Sequence, residues 1–151
     1  VSPQLLWLEV TESVMITEPE LALSTLRRLR SLGVRVALDD FGTGYSSLSL
    51  LQKFPLQRIK IDRAFVHGVA DNPNDCSLVR TIVAMGTSLG LDLVAEGVES
   101  VHQLQVLSDL GCDKAQGFLI SHPVPPDAMR STVAALERLG RFPGLHASAT
   151  R

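Results

Sequence analysis

The chain has 151 residues, of which 14 are Lys or Arg and 16 are Asp or Glu, and hydrophobic residues make up 45% of it. This length fits about one globular domain, and the composition is far from that of a disordered chain. The net charge of −2 and the absence of a Lys/Arg run argue against binding to a nucleic-acid polymer. No apolar stretch approaches the roughly 20 residues of a membrane span, and two cysteines without a secretion leader favour a cytoplasmic setting.

Short apolar runs alternate with helical patterns along the chain. In chain order, the runs typical of buried strands are Leu5–Val10, Val34–Leu38, Arg58–Ile61, Leu91–Ala95 and Lys114–Ile120. The predicted helices between and after them are Leu21–Leu32, Ser46–Lys53, Asp75–Leu89, Val101–Leu110 and Pro126–Leu139. The tail, residues 140–151, has no periodicity and is predicted to be irregular.

This alternation predicts an α/β fold with a parallel sheet. Two architectures fit it: an open doubly wound sheet, or part of a (β/α)8 TIM-type barrel. A full barrel needs about 250 residues, so five of its eight βα units would need roughly 156, close to the length of this chain. Five strands alone cannot close such a barrel.

Acidic residues lie at or near the ends of four consecutive predicted strands. They are Glu9 and Glu12, Asp39 and Asp40, Asp62, and Glu96 and Glu99. Any one of them is more simply explained as a helix cap or a turn residue. Parallel α/β folds place their active sites at the carboxyl ends of the strands, so the repetition over four strands favours a site.

Carboxylates grouped at one mouth repel one another, and divalent cations relieve that repulsion. Oxygen ligands without a His or Cys pattern suit Mg²⁺, Mn²⁺ or Ca²⁺. Asp39 and Asp40 are adjacent and cannot both point the same way on an ideal strand, so each could serve one of two metals, an arrangement that cleaves phosphate esters. Lys60 shares a strand face with Asp62, and burying the two inward needs partners because an unpaired buried charge is costly. Lys60 would orient a water or neutralise charge on a phosphate.

The segment from Asp39 to Leu48 contains a partial glycine loop. Gly42 and Gly44 match the start of a dinucleotide-binding pattern, but Ser47 stands where the third glycine is required. Asp39 and Asp40 would also repel a pyrophosphate unless a metal intervened. An unrelated α/β domain with a nucleotide loop is therefore the weakest interpretation.

Five motifs in order resemble a known family. They are Leu8–Ser13, Asp39–Leu48, Lys60–Val66, Ala95–Glu99, and Gly111–Phe118 running on to Pro123. Over about residues 1–125 the chain resembles the C-terminal part of an EAL domain, the bacterial cyclic di-GMP phosphodiesterase. The resemblance implies a partial (β/α)8 barrel in which residues 1–139 supply the last five βα units. The family's Glu-Ala-Leu strand and the Asn-bearing strand after it are missing.

The resemblance implies hydrolysis of cyclic di-GMP to linear pGpG with two Mg²⁺ or Mn²⁺ ions. Glu9 and Asp39 would bind one metal, and Asp40 and Asp62 the other. Because further ligands of the first metal lie on the missing strands, we expect impaired activity of this piece. The alternative is a non-catalytic module that binds cyclic di-GMP or dimerises.

The resemblance also assigns supporting roles. Lys60 would contact the attacking water, Glu96 would be the acid/base or water-positioning carboxylate, and Glu99 would support the site. Glu12 would hold the loop after Asp40, through which the family forms homodimers. Gln116 would lie near the substrate. Sensory or GGDEF-type domains are expected elsewhere in the parent chain, which could be membrane-anchored.

Overall fold

A computed structural model of the chain describes residues 2–42, 48–112 and 114–138. After a single 3-10 turn at Pro3–Leu5, the strands are β1 (Trp7–Thr11), β2 (Arg35–Phe41), β3 (Arg58–Ile61), β4 (Asp92–Ala95) and β5 (Lys114–Ala115). The helices are α1 (Glu12–Thr17), α2 (Pro19–Ser31), α3 (Leu48–Lys53), α4 (Arg63–Gly68), α5 (Pro73–Ser88), α6 (Val101–Asp109) and α7 (Met129–Arg138). Each strand is therefore followed by at least one helix.

The strand order distinguishes between the two architectures left open by the sequence. The five strands form one sheet in the order β1-β2-β3-β4-β5, and each neighbouring pair is parallel. A doubly wound sheet reverses its strand order at a switch point, whereas consecutive parallel strands are the pattern of a (β/α)8 barrel. The prediction of five consecutive βα units of a barrel is confirmed.

The two faces of the sheet differ in chemistry. Alternate residues of β2, β3 and β4 pack into the buried apolar core with the helices: Val36, Leu38, Ile59, Ile61, Leu93 and Ala95. Because successive side chains of a strand point to opposite faces, Arg58 and Lys60 project from the other face, which corresponds to the barrel interior. The core fixes the strands from outside and leaves the inner face for charged groups.

Three strand predictions were wrong by two residues or more at one end. β2 continues past Leu38 to Phe41, because Asp39 and Asp40 still belong to the strand. β5 ends at Ala115 instead of Ile120. The chain turns there because Gly117 packs directly against the Val98 backbone, and Ile120 N–H bonds back to the Gly117 carbonyl. β1 also begins at Trp7, two residues later than predicted.

The helix predictions missed two short elements, α1 and α4, and shifted several boundaries. α2 and α5 each begin two residues earlier than predicted, at Pro19 and Pro73. The last helix begins at Met129, three residues after the predicted Pro126, which lies in a turn. Residues 46–47 of the second predicted helix, residue 139 and the tail at 140–151 lie outside the described residues, so the predicted domain limit there stays a prediction. None of the described helices combines the length and apolar character needed to cross a membrane.

A belt of paired side chains crosses the N-terminal ends of all five strands. Arg58 stacks over the Trp7 ring at 3.7 Å, and Arg35 lies 5.4 Å from the same ring. Asp92 then joins Arg58 at 3.2 Å and Lys114 at 2.8 Å. In barrels of this type, the N-terminal face serves stability; here cation–aromatic stacking joins β1 to β2 and to β3, and ion pairs join β3 to β4 and β4 to β5.

Asp92 predicts a pH dependence of stability. Burial alone would raise the pKa of Asp92, but hydrogen bonds from Lys114 and Arg58 outweigh it and hold that pKa below the ordinary value. The stabilisation is therefore present above the ordinary carboxyl pKa and lost as pH falls through the lower folded value. We expect Asp92→Asn to reduce the free energy of unfolding by under about 1 kcal/mol at neutral pH, since the pair is partly exposed.

Urea unfolding of the variant and of the wild-type chain between neutral pH and about pH 3 measures this effect. The difference between the two proteins should shrink as Asp92 becomes protonated. Asp71→Asn, at an exposed position after α4, is the matched control and should show no such trend. A constant difference at every pH would contradict the prediction.

Candidate active site

A buried ammonium group lies at the centre of the predicted site. Lys60 is 7% exposed, and its Nζ lies 2.8 Å from Glu9 Oε2, 2.8 Å from Asp39 Oδ1 and 2.9 Å from Glu96 Oε1. These residues come from the C-terminal halves or ends of β1, β2, β3 and β4, so four consecutive strands meet here. The prediction that a buried Lys60 needs partners is confirmed, and all three partners are carboxylates.

The charges of this cluster shift its pKa values. Burial alone would lower the pKa of Lys60, but bonds to Asp39, Glu9 and Glu96 hold that pKa well above its ordinary value. Burial raises the pKa of Glu96; the bond from Lys60 opposes this, and the charges of Asp39 and Glu9 raise it further. One cation thus faces three carboxylates, and the cluster keeps an excess of negative charge.

A β-bulge brings two adjacent acids to the same mouth. Leu38 pairs with Ile59 and Phe41 with Ile61, so β2 carries one more residue than β3 across this stretch. Asp40 has a φ of 52°, the left-handed conformation that non-glycine residues seldom adopt. The bulge removes the alternation that would separate neighbouring side chains. Carboxylate oxygens of Asp39, Asp40 and Glu96 consequently lie within 4.8 Å of one another.

Asp62 joins the site through Asp40. Partial desolvation, the charge of Asp39 and a hydrogen bond with the Asp62 carboxyl all raise the pKa of Asp40, while Lys60 lowers it. Asp62 also caps α4, since its Oδ1 accepts a hydrogen bond from Ala64 N–H at 2.7 Å. The two carboxyls approach closely enough to favour a shared proton or a cation between them.

The members of each predicted ligand pair lie close to one another. Glu9 and Asp39 contact the same Lys60 ammonium, and Asp40 and Asp62 contact each other. The donors are all carboxylate oxygens, the ligands that Mg²⁺ and Mn²⁺ prefer. Glu9 is 48% exposed because β1 is the edge strand, so this side of the site is open to solvent.

Glu12 supports the start of the loop after β2. It is buried at the beginning of α1, and its Oε1 accepts a hydrogen bond from Gly42 N–H at 2.9 Å. Gly42 has a φ of 104° and lies against the Phe65 ring, so a side chain at this position would be strained and obstructed. Residues 43–47 of the loop lie outside the described residues.

Glu12→Ala is expected to lower the free energy of unfolding by about 1–2 kcal/mol, because Gly42 N–H loses its acceptor in a partly buried place. Glu12→Gln keeps an acceptor oxygen and is expected to stay within about 0.5 kcal/mol of the wild type. Urea unfolding of both variants measures the difference. Equal losses in the two would show that the charge of Glu12, rather than its acceptor, supports the loop.

Glu99 and Gln116 lie on the segments that follow β4 and β5, and among the described residues the ion pairs of Lys60 join it to other side chains. Glu99 is exposed and lines a small cavity together with Arg63, Ala64, His67 and Gly97. Gln116 acts through its backbone: its N–H donates to Ala95 O at 2.8 Å, and its carbonyl accepts from Val98 N–H at 3.0 Å. These bonds join the end of β5 to the segment that carries Glu96 and Glu99.

Sequence reasoning missed Gln103, a buried side chain next to this segment. Its Oε1 accepts hydrogen bonds from Glu99 N–H and Ser100 N–H, and its Nε2 donates to the His67 carbonyl. The available signal was Ser100-x-x-Gln103 before an apolar run, which is a capping-box pattern. That pattern predicts the cap but not the bond to α4.

Comparison with known proteins gives one family. Residues 1–123 match the EAL domain. MucR of Pseudomonas aeruginosa, a bifunctional diguanylate cyclase/cyclic di-GMP phosphodiesterase, is 44% identical over 132 residues, which are 87% of this chain and 19% of MucR. The chain spans 16–20% of the length of the first curated relatives that it matches.

Solved structures agree with this match. The PaMucR phosphodiesterase in complex with c-di-GMP has a TM-score of 0.82 and 43% identity, over 85% of this chain and 52% of that one. A manganese/c-di-GMP complex of Klebsiella pneumoniae BlrP1 has a TM-score of 0.77 and 37% identity, over 82% of this chain and 31% of that one. Because the family match covers most of the chain and the barrel units superpose, the chain belongs to the EAL domain family.

Proposed function

We propose that this chain supplies the last five βα units of a metal-dependent phosphodiesterase domain that hydrolyses cyclic di-GMP to linear pGpG. The observation that carries the proposal is the set of carboxylates around Lys60, contributed by Glu9, Asp39 and Glu96 from neighbouring strands. Family relatives supply the substrate class, since the PaMucR phosphodiesterase is a c-di-GMP complex. The position at the carboxyl ends of the strands is where barrel enzymes carry their chemistry.

The donor set fits two divalent cations. We assign Glu9 and Asp39 to one and Asp40 and Asp62 to the other, with Mg²⁺ or Mn²⁺ as the ion. The excess of carboxylate over ammonium charge supports this assignment, as do the manganese and calcium complexes of BlrP1. When bound, such cations polarise a phosphate ester and make a water more acidic.

The chain's own side chains would then orient the water, take up its proton and stabilise the charge that develops on the phosphate. Producing pGpG requires water oxygen to bond to phosphorus while the bond from phosphorus to the 3′-oxygen breaks. Glu96, whose pKa burial raises above the ordinary carboxyl value, would take the proton of the water. The released 3′-oxygen then acquires a proton. The Lys60 ammonium would orient the water and stabilise the negative charge that develops on the phosphate oxygens.

We further propose that the 151-residue chain on its own turns over substrate slowly. Glu9 stands on the edge strand and is half exposed, so one side of its cation site lacks covering groups. An apolar groove of about 510 Å³ along β1, α1 and α2 also opens at this edge; Leu8, Val14 and Leu21 are among the residues that line it. Preceding βα units would cover both features.

The proposed setting of the domain follows the family. We propose a homodimer through the loop after Asp40, a cytoplasmic location, and sensory or GGDEF-type domains elsewhere in the parent chain. The bifunctional cyclase/phosphodiesterase MucR supports that domain context. We propose no nucleic-acid polymer as a partner, in line with the net charge of −2.

The test is cyclic di-GMP turnover with Mn²⁺, followed as pGpG by chromatography. It is run on the chain alone and on the chain joined to the preceding βα units of the MucR phosphodiesterase. We expect turnover by the joined form, loss of it in Glu96→Gln or with EDTA, and weak turnover by the chain alone. Binding of cyclic di-GMP without turnover in the joined form would support a non-catalytic module instead, and neither binding nor turnover would reject both.

A further inference from the structure

The N-terminus of α6 carries a buried amide that does more than cap the helix. Gln103 is 7% exposed, and its N–H donates to the Ser100 hydroxyl at 3.1 Å. Its Oε1 accepts from Ser100 N–H at 3.0 Å and from Glu99 N–H at 2.8 Å. The bonds with Ser100 form a capping box, which Glu or Gln can complete equally well because only the acceptor oxygen is used.

The other half of the same amide reaches a different active-site segment. Gln103 Nε2 donates to the His67 carbonyl at 3.0 Å, in the last turn of α4. α4 begins immediately after Asp62, which caps it. One buried side chain therefore ties the loop that carries Glu96 and Glu99 to the helix that starts at Asp62.

A second contact limits the space between the same two segments. Gly97 has a φ of 68°, and a Cβ built on it would lie 2.6 Å from the Arg63 Cβ. The loop after β4 thus packs against the first turn of α4 as closely as a glycine allows. Two contacts, at opposite ends of α4, fix the loop against this helix.

We infer that Gln103 is a positioning residue for the reaction, which sets the place of Glu96 relative to Asp62 by joining their two segments. This inference rests on the proposed phosphodiesterase function. A displacement of about 1 Å in a reacting group can cost roughly 100-fold in rate. A lost bond to His67 should therefore lower kcat even where the cap of α6 remains intact.

Gln103→Glu separates the two roles. Glutamate keeps the acceptor oxygen for Glu99 and Ser100 but presents a carboxylate to the His67 carbonyl in place of an amide donor. The measurement is kcat and KM for cyclic di-GMP in the joined form described above, at a temperature where circular dichroism shows every variant folded. Gln103→Leu removes both roles. Gln105→Leu is the matched control, an exposed glutamine on the same helix whose amide donates to Asp109.

We expect Gln103→Glu to lower kcat by about 10- to 100-fold with KM changed less than about threefold, and Gln105→Leu to match the wild type. A wild-type kcat in Gln103→Glu would overturn the inference and leave Gln103 with only its role in capping α6. Amide hydrogen exchange without substrate gives an independent result, because faster exchange in the 96–99 loop of Gln103→Glu is expected. If the wild-type joined form shows no turnover, the proposed function fails, and exchange alone decides whether Gln103 joins the two segments.

Discussion

Lys60→Met is expected to destabilise the fold and abolish turnover together. Methionine has a similar length but no charge, so Glu9, Asp39 and Glu96 would face one another without the ammonium that joins them. Removing one partner of a buried ion pair costs about 3–5 kcal/mol, and the half-exposed Glu9 places this case at the lower end, about 3 kcal/mol. Turnover should fall at least about 100-fold, because a preorganised positive charge at the reacting phosphate is lost.

Urea unfolding in EDTA measures the stability loss, and adding Mn²⁺ identifies its cause. A divalent cation can replace part of the missing positive charge, so Mn²⁺ should stabilise Lys60→Met more than it stabilises the wild type. Lys53→Met, at the exposed end of α3, is the control and should stay within about 0.5 kcal/mol of the wild type. Wild-type stability of Lys60→Met in EDTA would mean that the carboxylates do not depend on Lys60.

Asp40→Asn is expected to abolish turnover while leaving the fold intact. Asparagine tolerates the left-handed conformation that Asp40 adopts at a φ of 52°, and it removes a charge beside Asp39 and Asp62. Because desolvation and these neighbours raise the pKa of Asp40, its ionised form opposes folding at neutral pH, so the free energy of unfolding should stay equal or rise. Loss of a cation ligand should lower turnover about 100-fold or more.

Asp40→Ala separates the effect of the left-handed backbone conformation from the effect of losing the carboxylate charge. Alanine also removes the carboxylate, but it pays about 1–2 kcal/mol for the left-handed conformation. We therefore expect Asp40→Ala to unfold at lower urea than Asp40→Asn, with turnover equally low in both. Retained turnover in Asp40→Asn would exclude Asp40 as a ligand, and equal stability of the two variants would mean that β2 relaxes out of the bulge.

Elements with strong local signals could be predicted from the sequence. β3 was predicted to the residue because Arg58–Ile61 is short, apolar on one face and preceded by Pro55. α1 was missed because its six residues are too few to show a helical period, and Thr11 makes no side-chain capping bond. β5 was predicted too long because Phe118–Ile120 is as apolar as a strand, and only the packing of Gly117 on Val98 stops it.

The site shows the same division between local and non-local information. Asp39 and Asp40 were recognisable from their place at a strand end, but the bulge that brings them together depends on pairing between β2 and β3. A buried Lys60 could be expected to have partners, whereas their identity depends on which strands become neighbours. Gln103 carried a capping signal, and its bond to His67, 36 residues away, had no signal in the sequence.

The belt at the N-terminal ends of the strands and the Lys60 cluster respond to different solution conditions. Asp92 is 44% exposed and Lys60 only 7% exposed, and salt screens exposed charges much more than buried ones. The two groups of charges therefore differ in how strongly salt weakens them. Added salt should weaken the partly exposed Asp92–Lys114 pair and leave the buried Lys60 contacts almost unchanged. Ionic strength therefore changes the stability that the ion pairs at the N-terminal ends of the strands contribute more than it changes the electrostatics of the Lys60 cluster at the C-terminal ends.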